Sequence, residues 1–181
     1  VDFFEFDTAL VVGRHNDLWV IYGEGVYSDT NPYRLSKVDA HTGFACAHCG
    51  ALINNYYIYL GYDGVFYRLN TPTTYTEYLM TRPLNTDIDI KRKPLNITEK
   101  YMKSVSPIVY NNEVWFAFDG DVPKIIVYSF DNMAFTYYEG MNATCLYSND
   151  VDVYIGRKDG IIAKYDNTCY SDLGRGYLCK F

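Results

Sequence analysis

The chain has 181 residues, 49% hydrophobic and 18% aromatic, which is one domain's length with material for a sizeable core. A formal charge of −6 argues against nucleic-acid contact, which calls for a basic surface. No run of about 18 apolar residues occurs, so neither a transmembrane helix nor membrane insertion is expected.

The first residues, VDFFEFDT, lack an initiating Met and the pattern of a signal peptide. The chain therefore reads as a single β domain over 1–181, a fragment of a longer protein. Twenty Tyr and ten Phe suit pleated, half-buried surfaces. Helical periodicity is nearly absent, and short apolar runs alternate with turn residues at close intervals.

Residues 18–39, LWVIYGEGVYSDTNPYRLSKVD, read as a first hairpin with a long insertion. Cys46-x-x-Cys49 follows, with His48 inside it and His41 ahead of it. A structural zinc site takes four ligands, usually from two such pairs, and Cys169 and Cys179 do not make the second. A redox pair would open a helix after a strand, and TGFACAHCGAL has no helical period. Buried or unpaired thiols are the expectation, since five cysteines fit a full disulfide framework poorly.

Residues 57–70, YIYLGYDGVFYRLN, form a second hairpin about Asp63-Gly64, a pair that tolerates the positive φ of a tight turn. YTEYLMT at 75–81 is the one stretch with short-helix character, and 82–103 shows no clean hairpin. Residues 114–131, VWFAFDGDVPKIIVYSFD, make a third hairpin, and 154–167, YIGRKDGIIAKYDN, a fourth about Asp159-Gly160. Asn54-Asn55, Asn111-Asn112 and Asn149-Asp150 punctuate the strands between them, because Asn and Asp accept left-handed backbone.

Each hairpin closes on an acid or its amide: Asp39, Asn70, Asp131 and Asp166. A small β unit cannot bury its face alone, so copies stack. The fold class expected is all-β, a propeller-like array of short antiparallel hairpins, with an irregular β-sandwich as the alternative.

Catalytic constellations are sparse. No Gly-x-Ser-x-Gly occurs, and the three histidines are His15, His41 and His48. Asp63, Asp119, Asp121, Asp159 and Asp166 are carboxylates for glycoside chemistry, but their turn positions point to local backbone bonding. The acids at 119–121 and 150–152 lack the twelve-residue spacing of a calcium loop. KRKP at 91–94 reads as a solvated loop neutralised by nearby acids, and Asn96 and Asn142 match the glycosylation pattern by chance. The expectation is a protein that is not an enzyme and takes no cofactor and no metal.

Several stretches together resemble a motif of bacteriophage tail and head-to-tail proteins. These include packaged-DNA stabilisation and tail-nozzle proteins with propeller-like domains. WVIYGEGVY, the Asn-Pro-Tyr-Arg-Leu turn at 31–35, TGFACAHCGAL and YYIYLGYDGVFYRLN carry it first. VSPIVYNNEVWFAFDG, KIIVYSFDNMAFTYYEG and ATCLYSNDVDVYIGRKDGIIAKYDN continue it. The resemblance implies a structural role in a virion tail, with other tail proteins as partners and the host cytoplasm as the place of assembly.

The aromatic hairpins add a candidate surface. Strand alternation sends about half of the Tyr side chains outward, and Tyr is enriched at interface hot spots. Tyr56, Tyr62, Tyr67, Tyr137 and Tyr138 are the candidate binding residues. The alternative reading of that Tyr-rich face is recognition of a host-surface glycan or receptor.

Overall fold

The computed structural model describes residues 2–6, 9–22, 33–38, 42–70, 81–83, 104–119, 124–166, 171–172, 175–176 and 179–180. Every regular element among them is a β-strand. The protein is all-β, as expected, built from small antiparallel sheets, none of which closes into a barrel among the described residues. The chain gathers into two compact units, Val1–Asn96 and Ile97–Phe181.

The first unit holds two four-stranded sheets. β1 (Asp2–Phe6), β2 (Ala9–Gly13), β3 (Leu18–Tyr22) and β4 (Arg34–Lys37) lie side by side in chain order. β5 (Gly50–Ile53), β6 (Tyr56–Leu60), β7 (Phe66–Asn70) and β8 (Thr81–Pro83) form the second sheet in the same up-and-down order. The 18–39 hairpin is the β3–β4 pair, and the 57–70 hairpin lies in β6–β7. Most of the short-helix stretch at 75–81 lies outside the described residues, and its last residue, Thr81, begins β8. KRKP at 91–94 and most of 82–103 also lie outside them.

The two sheets of this unit meet through aromatic rings. Phe4 of β1 stacks on Tyr57 of β6 with centroids 3.6 Å apart, and Phe44 tilts against both. Behind these rings Ala9, Val11, Leu18 and Val20 form the buried side of the first sheet. β6 is apolar along its whole length, and Tyr57, Ile58, Tyr59 and Leu60 are all buried. A strand that buries both faces reads as a continuous apolar run.

The 42–49 segment clasps the sheets together. Gly43 N donates to His15 O at 3.0 Å and Phe44 N to Arg14 O at 2.9 Å, at the β2–β3 turn. On the other side, Tyr62 N donates to Gly43 O at 3.0 Å and Ala45 N to Leu60 O at 3.0 Å. The approach is so close that a Cβ on Gly43 would overlap the Arg14 carbonyl oxygen.

The second unit repeats the plan. β9 (Val105–Tyr110), β10 (Glu113–Phe118), β11 (Lys124–Ser129) and β12 (Ala134–Glu139) form an up-and-down sheet. β13 (Ala143–Ser148), β14 (Val153–Arg157) and β15 (Ile162–Lys164) form a three-stranded one. β16 (Ser171–Asp172) and β17 (Arg175–Gly176) pair as a ribbon, and β18 (Cys179–Lys180) adds to the edge at β12. Trp115, Ala117, Ile125 and Val127 from the larger sheet meet Leu146, Val153 and Ile155 from the smaller in one core. Trp115 lies edge-on to Tyr165, centroids 4.9 Å apart, and its Nε1 donates to Glu113 at 2.8 Å.

The two Asp-Gly hairpins are the same object. Asp159 follows Asp63 by 96 residues, and the strand pairs share that offset: Tyr59 opposes Tyr67 as Ile155 opposes Ala163. Gly61 N donates to Val65 O and Gly64 N to Gly61 O; Arg157 N donates to Ile161 O and Gly160 N to Arg157 O. In both turns the aspartate accepts from the amide two residues on, at 3.1 and 3.3 Å, and the glycine takes φ +82°. Asn54-Asn55 and Asn111-Asn112 form two-residue turns with all four φ values between +47° and +62°. That is the mirror-image turn whose twist matches paired strands. Asn149-Asp150 departs from this expectation, because only Asp150 is left-handed. Asn149 instead accepts from the Val151 and Asp152 amides in a longer loop.

Candidate functional site

The predicted Tyr residues scatter. Tyr56 is half-buried on β6 beneath Arg68, whose guanidinium carbon stands 4.7 Å from the ring centroid. Tyr62 is half-buried in the Asp63-Gly64 turn and tilts against His15. Tyr67 is buried, stacked on Tyr59, and its hydroxyl donates to Asp63 at 2.6 Å. It is no part of an outward face: cross-strand pairing puts it on the same side as Tyr59, which is fully buried. In the second unit Tyr137 is half-buried with the Lys124 amine 5.8 Å from its ring centroid. Tyr138 packs against the Trp115 core. Neighbours on one strand face opposite sides, so Tyr137 and Tyr138 do not share a surface.

The turn carboxylates are engaged locally. Burial and the adjoining Asp63 push the Tyr67 hydroxyl well above its usual range. The Arg157 guanidinium holds Asp159 below the usual carboxylate range, with Nη2 to Oδ2 at 2.9 Å. Asp152 meets the Lys164 ammonium at 2.9 Å and raises that amine. Asp121 lies outside the described residues, as does His41. His15 Nδ1 lies 3.3 Å from the Phe44 carbonyl oxygen, which serves the clasp.

Among the described residues, an extended apolar surface lies elsewhere, on the outer side of the first sheet. Antiparallel register sets its membership, because directly opposed residues share a face. Phe3 opposes Val12, Val12 opposes Trp19, and Trp19 opposes Lys37. In the next row Glu5 opposes Leu10, Leu10 opposes Ile21, and Ile21 opposes Leu35. Six of these eight residues are apolar. Phe3 is 67% exposed and Leu35 64%, Leu10 is exposed, and Val12, Trp19 and Ile21 are half-buried. Glu5 and Lys37, both exposed, stand at the rim. The second unit has a smaller counterpart on the outer side of its three-stranded sheet, where Tyr147 and Ile162 are exposed.

Soluble chains rarely leave such a face uncovered, and contiguous apolar patches with polar rims mark interaction surfaces. It presents Trp, Phe, Leu and β-branched side chains on one sheet face, with one carboxylate and one amine at the rim. The signal was present in the sequence. ALVVG and LWVIY are each apolar at successive positions, and in a strand that means apolar on both faces. Only one face is used by the neighbouring sheet. No family model matches the chain, and no curated protein is similar to it in sequence.

Proposed function

We propose that the protein is a structural component of a bacteriophage tail that assembles with another tail protein through the outer face of its first sheet. The observation that carries the assembly reading is the pair of adjacent rows made by Phe3, Val12 and Trp19 and by Leu10, Ile21 and Leu35. The phage setting rests on the likeness of the turn-and-aromatic pattern to tail and head-to-tail proteins. Binding is burial of apolar area at roughly 25 cal/mol per Å², with no turnover. A rigid sheet loses little conformational freedom when covered, which favours stable contacts over transient ones.

The test replaces Val12 and Ile21 by Asp together. Both side chains are half-buried on the outer face, so the unit should fold, losing about 1–2 kcal/mol at most in urea. The variant should then be left out of assembled tails while the wild-type chain enters them. Equal incorporation would overturn the proposal. Saturable binding on a glycan array, lost in Tyr56→Ala or Tyr137→Ala, would support receptor recognition in its place.

A further inference from the structure

Cys46 and Cys49 sit at the end of the clasp between the two sheets of the first unit, in a role that assembly does not use. Ala47 and His48 turn the chain between them, and His48 has φ +53°. Residues 46–49 thus make a four-residue turn, whose ends lie within about 7 Å by definition. A disulfide spans Cα separations of about 4.4–6.8 Å, so the two requirements overlap.

The turn is pinned from both sides. Ala45 N donates to Leu60 O at 3.0 Å, and Leu60 N donates to Cys49 O at 3.1 Å. One buried residue of β6 thus holds both ends of the excursion. The Cys49 thiol is fully buried and lies 3.4 Å from the same Leu60 carbonyl. The Cys46 side chain is half-buried and shares a hydrogen bond with Cys49. Of the two cysteines, Cys46 is therefore the one nearer solvent.

We infer that Cys46 and Cys49 form a thiol–disulfide exchange site, oxidised by a low-molecular-weight disulfide, and that the resulting bond staples the clasp. The Cys46 thiolate attacks one sulfur of the small disulfide, whose S–S bond breaks. The departing thiolate takes up a proton, equal to the one Cys46 gave up. Cys49 then loses its proton and attacks the Cys46 sulfur, releasing the second small thiol. Two protein thiols are oxidised by two electrons, and one small disulfide is reduced to two thiols. Cys46 is the entering nucleophile because Cys49 is fully buried and Cys46 is not; the hydrogen bond with Cys46 and burial also raise the Cys49 thiol.

The experiment treats the protein with oxidised glutathione, quenches with iodoacetamide and maps peptides by mass. The expected result is a 46–49 peptide lighter by two hydrogens and unalkylated, restored by dithiothreitol. Cys49→Ser should stop the reaction at one glutathione on Cys46. Amide exchange at Ala45 and Leu60 should slow about tenfold in the oxidised wild type. Alkylation of both cysteines after treatment would overturn the inference. So would glutathione captured only by Cys145, an exposed free cysteine of the second unit, or exchange rates at the clasp that oxidation leaves unchanged. If Cys49→Ser fails to fold, the wild-type peptide map and exchange rates decide.

Discussion

Tyr67 and Asp63 show how one pair ties turn to core. The aspartate holds the turn through the Val65 amide and receives the Tyr67 hydroxyl from the strand beyond. Tyr67→Phe should cost about 1.5–3 kcal/mol, the range for a hydrogen bond to a charged group, read as a lower urea midpoint with unchanged slope. The pair also predicts a pH dependence. The Tyr67 hydroxyl titrates well above its ordinary value of 10.0 in the folded protein. Its contribution is therefore complete below pH 10 and lost as pH climbs from there toward the folded value, because the unfolded chain releases the proton first. Tyr67→Phe should flatten that alkaline limb; an identical limb in wild type and variant would assign the loss to other groups. Gly43 is a second position where one atom decides. Its missing Cβ leaves room for the Arg14 carbonyl, so Gly43→Ala should cost about 3 kcal/mol by forcing the sheets apart. Thermal melting of the variant measures it.

At the scale of elements, the repeated turn is the most instructive feature. Gly64 and Gly160 share a φ of +82° and the same hydrogen bonds. A Cβ on Gly160 would meet nothing, so Gly160→Ala isolates the backbone cost, about 1 kcal/mol. Gly64→Ala should cost at least as much, and chemical denaturation of the two variants compares them directly. These turns were legible in the sequence because their chemistry is local: Asp bonds the backbone two residues on, and Gly supplies the angle. The Asn-Asn turns were legible for the same reason. Asn149-Asp150 was not, because loop length decides the turn type and composition does not reveal it. The inward side of Tyr67 depends on register with β6, a non-local property that a Tyr count cannot supply. The open face of the first sheet is not legible in ALVVG and LWVIY, which look like strands buried on both sides. Only the packing shows which side a neighbour covers.

At the scale of the whole molecule, up-and-down sheets follow one another along the chain, and within each unit two of them pack through aromatic side chains. In the first unit, one sheet keeps an apolar side turned away from its partner sheet. Assembly is the use this suggests for it. Lys37 reports on that side directly, since its amine is exposed and it opposes Trp19 across the β3–β4 pair. The decisive measurement is amine labelling of Lys37 in the isolated chain and in assembled tail particles, quantified by peptide mass. We expect Lys37 to react in the isolated chain and to be protected in the particle, with cross-links running from it to another subunit. Equal labelling in both states, with no cross-link from Lys37, would contradict the account.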